Sequence, residues 1–171
     1  LKRAQRPPWF LDARRSGGLF LDLLVHGLDQ VEWVTGARIR AVTATTGNLT
    51  DPEDPQLRDH AAVFCELDSG GCAVVEGQRM LPGTQGSDYR MLVAGTLGYA
   101  DLDMAAGTVT VTDPRAAGQA VTPLPEARAV VDDWLAGGEL VGQAASLRAN
   151  RLALLATLSA ASSRRLEVPN R

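Results

Sequence analysis

Three polar side chains with acid–base chemistry recur at helical spacing near the start of this 171-residue chain. Asp22, His26 and Asp29 are separated by four and then three residues, so a helix would place them in one row. A carboxylate one turn from an imidazole can hold one ring nitrogen, fix the tautomer and favour the protonated ring. This arrangement is the one that a general acid/base needs, with His26 in that role and Asp22 orienting it, and the functional interpretation of Asp29 is a hydroxyl-binding group.

Each of these residues also has a plainer interpretation. A single histidine on a helix is more often a core or capping residue that a neighbour satisfies. Asp29 fits a solvated carboxylate on a helix face equally well. For His26, the carboxylate one turn earlier is what favours acid–base chemistry over the plainer interpretation.

The segment that must position this row is Ser16–Gly36, which the pattern predicts to be a helix ending at Gly36. Trp33 continues the polar row on one side of that helix. The other side carries small and apolar residues that are predicted to face a core: Phe20, Leu24, Gly27, Val31 and Val34.

The remainder of the chain predicts strands first and helices last. The prolines of residues 1–15 predict an extended lead-in. Strands are predicted at 38–46, 61–67, 72–80, 89–95, 97–103 and 108–113, with a hairpin turn at 68–71. Links rich in Pro and Gly follow residues 80 and 113, and helices are predicted at 126–136 and 144–164. Their apolar sides are Val130, Val131, Trp134 and Leu135 in one helix, and Leu147, Leu154, Leu155 and Leu158 with Arg151 in the other.

This order predicts an α+β fold over one domain, residues 1–171. It consists of an open-faced, mostly antiparallel sheet of about six strands with helices packed on one face. The open face offers a natural surface for a second copy of the chain, so a homo-oligomer is expected.

Composition limits the partners. A net charge of −3 with no basic face argues against nucleic acid, and no apolar run approaches the ~20 residues of a membrane span. Without a signal peptide the expected location is cytoplasmic, where Cys65 and Cys72 would be free thiols. These cysteines and the two histidines, His26 and His60, lack metal-site spacing, so no metal is expected. The start at Leu1 suggests a piece of a longer polypeptide.

No nucleophile elbow, phosphate-binding loop or dinucleotide fingerprint is present. The residues instead resemble those of the Gfo/Idh/MocA oxidoreductases, the glucose–fructose oxidoreductase and inositol dehydrogenase relatives. Gly17-Gly18, Asp22, His26, Asp29, Trp33 and Gly36 are similar to that family's GG-x-x-x-D-x-x-x-H-x-x-D-x-x-x-W-x-x-G signature. Asp59-His60-Ala61-Ala62, Gly70-Gly71, Gly95-Thr96-Leu97-Gly98 and the lead-in Arg6-Pro7-Pro8-Trp9-Phe10 also resemble family positions.

The resemblance implies a C-terminal domain for substrate binding and oligomerisation, preceded in the parent chain by a Rossmann domain that binds NAD or NADP. By the same resemblance, His26 would take a hydroxyl proton as hydride leaves a sugar, cyclitol or related polyol. Asp22 would orient His26, Asp29 would bind a substrate hydroxyl, and a lysine of the absent domain would assist. This piece alone would be inactive. His60 and Arg79 could approach the pocket, although no motif supports either.

The alternative is a non-catalytic homologue, a ligand-binding or dimerisation module of the same fold. The Asp22–His26 pair favours the enzyme, because a scaffold has no use for it.

Overall fold

The computed structural model describes residues 6–54, 56–81, 88–113, 119–121, 129–138 and 141–169. The chain divides into two compact units, Leu1–Met80 with Val141–Arg171, and Leu81–Leu140. Two predicted features lie largely outside the described residues. They are the links, of which 82–87, 114–118 and 122–125 are not described, and the start of the predicted helix at 126–128.

In its described residues the first unit contains five helical segments and four strands. Its helices are α1 (Pro8–Leu11), α2 (Ala13–Ser16), a π-helical turn (Phe20–Leu24), α3 (Val25–Thr35) and, from the end of the chain, α5 (Gln143–Ser162); its strands are β1 (Ile39–Gly47), β2 (His60–Leu67), β3 (Cys72–Gln78) and β8 (Leu166–Glu167). The second unit contains β4 (Arg90–Gly95), β5 (Gly98–Asp103), β6 (Thr108–Thr112), β7 (Gln119–Val121) and the short helix α4 (Val130–Leu135).

In the first unit the strands form an antiparallel sheet in the order β3-β2-β1-β8. Alternate residues of β2, among them Val63 and Cys65, are buried under the helices. The residues between them face away from the helices. On that face, Phe64 is 44% exposed and its cross-strand partner Val74 is 59% exposed. The sheet therefore has one covered and one open face, as the alternation predicts.

The π-helical turn and α3 are continuous and together carry the predicted row; we call them the signature helix. This helix differs from a regular α-helix at its start. The Val25 N–H donates to the Phe20 carbonyl, five residues back, which makes Phe20–Leu24 a π-helical turn. The residues of the signature helix buried in the core are Phe20, Leu24 and Leu28, and Leu19 immediately before it is buried as well. The prediction for Val34 is wrong: it is 39% exposed, and Leu28 is the buried residue of α3.

The long helix α5 uses a different face from the one that leucine spacing predicts. Leu147, Leu154 and Leu158 are more than half exposed. The buried side consists of Ala149, Leu152, Ala153, Ala156 and Ser159. Alanines let α5 lie close to β1, and the Ser159 hydroxyl accepts from the Ala44 N–H at 3.0 Å and donates to the Arg164 carbonyl at 2.5 Å.

In the second unit the strands run antiparallel in the order β4-β5-β6-β7. Glycines at both ends of the β4–β5 turn, Gly95 and Gly98, are paired with each other. The predicted apolar side of α4 lies in solvent in this unit: Val130, Val131, Trp134 and Leu135 are each at least half exposed.

The α+β class and the antiparallel pairing are confirmed, and the six predicted strands form with ends shifted by one or two residues. Two short strands, β7 and β8, are added, and the strands divide into two four-stranded sheets where one was predicted. From residue 6, where the described part begins, the predicted extended lead-in is wrong. Pro8 occupies a first helical turn, where its missing N–H costs nothing, and the Asp12 side chain caps α2 by accepting from the Arg14 N–H.

Candidate functional site

Asp22 lies on the π-helical turn and forms an ion pair with Arg79, which follows β3 directly. Arg79 Nη2 donates to Asp22 Oδ2. The Arg79 side chain is only 16% exposed and that of Asp22 is 32% exposed. A mostly buried guanidinium is therefore neutralised by a carboxylate of the signature helix.

An aromatic ring of α1 supports this ion pair. The Arg79 guanidinium lies 4.5 Å from the centroid of the Phe10 ring, and that of Arg6 lies 4.4 Å from the same centroid. Burial lowers the pKa of the Arg79 guanidinium, the Asp22 charge raises it and the Arg6 charge lowers it, with a net downward direction. Since an arginine starts from a very high value, Arg79 stays a cation at neutral pH.

His26 lies one turn after Asp22, in the first turn of α3, and its side chain is exposed. Within the part of the chain that the structure describes, the ring of His26 forms no hydrogen bond. The Asp22 carboxylate is engaged by Arg79 instead. The predicted row on the helix is present, but the structure does not join Asp22 to His26.

Asp29 follows His26 on the same helix and is half-buried, while Trp33 beyond it is 78% exposed. Asp29 accepts no hydrogen bond from any residue in the described ranges. Its carboxylate is thus available to an external donor.

His60 belongs to a different face of the first unit. Along β2 it alternates with the buried Ala61 and so shares the open face with Phe64. Its Nδ1 lies 2.8 Å from Oδ1 of Asp59, which is fully buried. His60 therefore does not join the row on the signature helix, whereas Arg79 does, through its ion pair with Asp22.

Asp59 anchors the loop between β1 and β2. Its Oδ2 accepts from the Leu49 N–H, the Thr50 N–H and the Thr50 hydroxyl at 2.7–2.9 Å. Burial raises the pKa of Asp59, but these bonds and the His60 contact outweigh it and hold the pKa well below its usual range. The backbone carbonyl of Asp59 accepts from the Arg79 N–H at 2.7 Å, so this loop is bonded to the residue that forms the ion pair with Asp22.

A small cavity adjoins Arg79. It is lined by residues of α1 and α2, by Gly18 and Leu19, and by the loop residues Gln56, Leu57 and Arg58. Arg79 thus has Phe10 and this cavity beside it as well as Asp22.

Neither a metal cluster nor a membrane span is found. Over the described ranges, no three His, Cys, Asp or Glu side chains converge to hold a metal ion. None of the helices in those ranges is both long and apolar enough to cross a bilayer.

Residues 2–101, more than half of the chain, match the model of the GFO/IDH/MocA C-terminal domain. The chain belongs to this family. The matched range includes Asp22, His26, Asp29 and Arg79, so the whole row lies within the family domain.

Curated relatives of the domain include polyol dehydrogenases. Myo-inositol 2-dehydrogenase from Thermotoga maritima is 32% identical over 115 residues, which are 65% of this chain and 34% of that protein. Scyllo-inositol 2-dehydrogenase (NAD(+)) from Bacillus subtilis is 36% identical over 87 residues, 50% of this chain and 25% of that protein. The domain therefore spans about a third or less of these relatives.

Solved structures share the fold. An NAD binding oxidoreductase from Klebsiella pneumoniae superposes with a TM-score of 0.82 at 18% identity, covering 98% of this chain and 55% of that one. Levoglucosan dehydrogenase, in complex with NADH and levoglucosan, superposes with a TM-score of 0.78 at 16% identity, covering 95% and 53%. At these identities the likeness establishes the architecture alone.

Proposed function

We propose that this domain binds substrate and mediates oligomerisation in an NAD(P)-dependent dehydrogenase that oxidises a hydroxyl of a sugar, cyclitol or related polyol. The observation that carries the proposal is the row Asp22, His26 and Asp29 on one helix within the matched family domain. Relatives named as inositol dehydrogenases support the substrate class.

His26 is the group that takes the hydroxyl proton. Its exposure leaves it accessible to a substrate, and a neutral imidazole can accept a proton near neutral pH. Oxidation of an alcohol to a ketone removes a hydride from carbon and a proton from oxygen. A bound nicotinamide would supply the hydride acceptor, and His26 accepts the proton.

Asp29 and Asp22 are the groups that bind and orient. Ionised carboxylates are pure acceptors, so they suit the hydroxyl donors of a polyol. Asp29 has no competing donor among the described residues. Asp22 shares its carboxylate with Arg79, and its role is the subject of the inference below.

The nicotinamide cofactor, NAD or NADP, is bound mainly by another part of the parent protein. The sequence of this domain contains no dinucleotide fingerprint, and its relatives are about three or four times longer than their matched parts. The assisting lysine that the family resemblance implies would also lie outside this domain. We therefore expect this domain alone to be inactive.

The oligomer forms through the open sheet face. Phe64 and Val74 pair across β2 and β3 and expose apolar surface that a second copy would cover. We place the assembled enzyme in the cytoplasm.

The alternative is a non-catalytic ligand-binding or dimerisation module. One observation favours it: Asp22 is bonded to Arg79 and not to His26, so the histidine is not held as an acid/base pair in this conformation. The enzyme is the better proposal, because the row lies inside the matched domain and Asp29 is available to a ligand.

The two proposals are separated by assaying the full-length protein with myo-inositol, scyllo-inositol and aldoses, each with NAD and NADP. We expect turnover, and we expect His26→Ala to lower kcat by about 10²–10⁴-fold with cofactor affinity unchanged. Arg38→Gln, a change of an exposed side chain after the end of the helix, is the control and should keep kcat. Parallel losses of kcat and cofactor affinity in His26→Ala would remove the acid/base role. If the wild-type protein turns over none of these substrates, the enzyme proposal is wrong and the non-catalytic module is the better description.

A further inference from the structure

We infer that Arg79 is a positioning residue for substrate binding: it holds Asp22 by Oδ2, so that Asp22 Oδ1 accepts a hydrogen bond from a substrate hydroxyl. The inference rests on the proposed function and deepens it. In this inference Asp22 contacts the polyol directly and does not orient His26.

The first support is the burial of Arg79. Its side chain is 16% exposed, and a guanidinium removed from water needs an opposite charge close by. Asp22 is the carboxylate that supplies it. The pair is therefore kept in the folded protein, unlike exposed surface ion pairs, which contribute little.

The second support is that Arg79 is held at both its backbone and its side chain. Its guanidinium lies 4.5 Å from the Phe10 ring centroid, and its backbone N–H donates to the backbone carbonyl of Asp59. A guanidinium fixed in this way sets the orientation of the carboxylate that it binds.

The third support is the remaining capacity of Asp22. Arg79 contacts Oδ2, and Oδ1 accepts no hydrogen bond from the residues that the structure describes. The side chain of Asp22 is 32% exposed, so a ligand can reach it. A carboxylate held at one oxygen and open at the other is suited to receive a hydroxyl donor in a fixed direction.

His26 is consistent with this division of roles. It lies one turn away, exposed, with no hydrogen bond to Asp22. Asp22 fixes the polyol and His26 is left to accept the proton, so loss of Arg79 should weaken substrate binding more than it slows turnover.

The test is a double-mutant cycle in the full-length enzyme with myo-inositol as the probe. The variants are Arg79→Gln, Arg79→Lys, Asp22→Asn and the double variant Arg79→Gln/Asp22→Asn. We expect Arg79→Gln to raise KM by about tenfold or more with a smaller change in kcat, and Arg79→Lys to recover part of the loss. In the Asp22→Asn background, Arg79→Gln should change KM by less than about threefold. The control Arg38→Gln removes an exposed arginine from a different carboxylate, Glu32, and should leave KM unchanged.

The outcomes are distinct. Wild-type protein without turnover on any polyol overturns the proposed function, and this inference with it. If the wild type is active but the effects of Arg79→Gln and Asp22→Asn on KM multiply in the double variant, only the inference is overturned. Arg79 would then act independently of Asp22. If Arg79→Gln unfolds at the assay temperature, Arg79→Lys carries the same cycle, and a KM effect that persists in Asp22→Asn overturns the inference.

Discussion

Gly27 of α3 lies against Val75 of β3 so closely that a Cβ built at Gly27 would be 2.5 Å from Val75 Cγ1. The reverse arrangement occurs one turn earlier, where a Cβ at Gly77 of β3 would be 2.5 Å from Leu24 Cδ1. Each element thus supplies a glycine where the other supplies a branched side chain. The signature helix rests directly on β3, which brings Asp22 within reach of Arg79.

The first prediction is that Gly27→Ala destabilises the fold although alanine is the better helix former. The added methyl would overpack against Val75, which costs about 2 kcal/mol in the free energy of unfolding. Urea unfolding measures the loss. Gly71→Ala is the control, because its Cβ would be no closer than 3.6 Å to any neighbouring atom. Adding Val75→Ala to Gly27→Ala should return part of the stability; a purely additive further loss would contradict the contact.

Sequence periodicity located the helices better than it located their buried faces. On α5 the leucines at 147, 154 and 158 follow helical spacing, yet Ala149, Ala153 and Ala156 face the core. The positions of the leucines cannot show which side of α5 is buried. Close packing of α5 onto β1 favours small side chains, and whether a small side chain fits depends on the surface of the strand that it meets. The signature helix begins with a π-helical turn, and no local sequence signal specified that turn.

The sequence predicted which residues of the candidate site share one helix, but it did not predict that Asp22 pairs with Arg79. Helical spacing placed Asp22, His26 and Asp29 together, whereas the partner of Asp22 comes from residue 79, far along the chain. One signal could have found it. In β3 the alternation that exposes Gln78 turns the following residue toward the helices, and an arginine there needs a carboxylate. Which carboxylate it meets depends on the packing of the helix across the sheet.

The second prediction concerns Glu32, which joins three elements of the first unit. Its carboxylate accepts from Arg148 Nε and Nη2 at 2.6 and 2.7 Å and from the Ile39 N–H at 2.7 Å, and its side chain is 9% exposed. Glu32→Gln would leave Arg148 without its charge partner and should cost about 3 kcal/mol in the free energy of unfolding. Thermal or urea unfolding checks this. Glu66→Gln is the matched control: Glu66 is also bound by an arginine, Arg165, but at the surface, so its loss should be much smaller.

The third prediction is an acid-sensitive contribution from Asp59. Burial raises its pKa, but hydrogen bonds from Thr50, His60 and Leu49 outweigh this, so the folded-state pKa lies below the unfolded value of about 3.9. The stabilisation is therefore complete above about pH 5 and is lost as pH falls below about 4. Asp59→Ala should lower the free energy of unfolding by about 3 kcal/mol at pH 7, and the difference from wild type should shrink at pH 3.

The control for Asp59 is Glu53→Ala, an exposed acidic residue of the same loop. It should change the free energy of unfolding by less than about 0.5 kcal/mol at either pH. A difference between wild type and Asp59→Ala that stays constant from pH 7 to pH 3 would contradict the role of the ionised carboxylate.

The fourth prediction tests the proposed oligomer. Phe64 is 44% exposed on the open sheet face, opposite the helices. Phe64→Glu would place a charge in a surface that a second copy should cover, so we expect light scattering to show a shift toward monomer at micromolar concentration. Trp33→Glu makes the same kind of change on the signature helix, at a side chain 78% exposed, and should leave the mass unchanged. Equal masses for wild type and Phe64→Glu would remove this face from the interface.

The fifth prediction concerns the two free cysteines, which differ in environment although both belong to the β2–β3 hairpin. Cys65 is buried in the core, and burial, with a smaller contribution from the Glu32 charge, raises its pKa to about 12. Cys72 is exposed at the start of β3. Only the thiolate reacts with iodoacetamide, so at pH 8 the native protein should be modified at Cys72 while Cys65 stays unmodified until the protein unfolds. Peptide mass mapping of native and urea-treated samples measures this, with Cys72→Ser as the control that abolishes native labelling. Rapid native labelling of Cys65 would show that the covered face of the sheet opens to solvent and would contradict the packing described above.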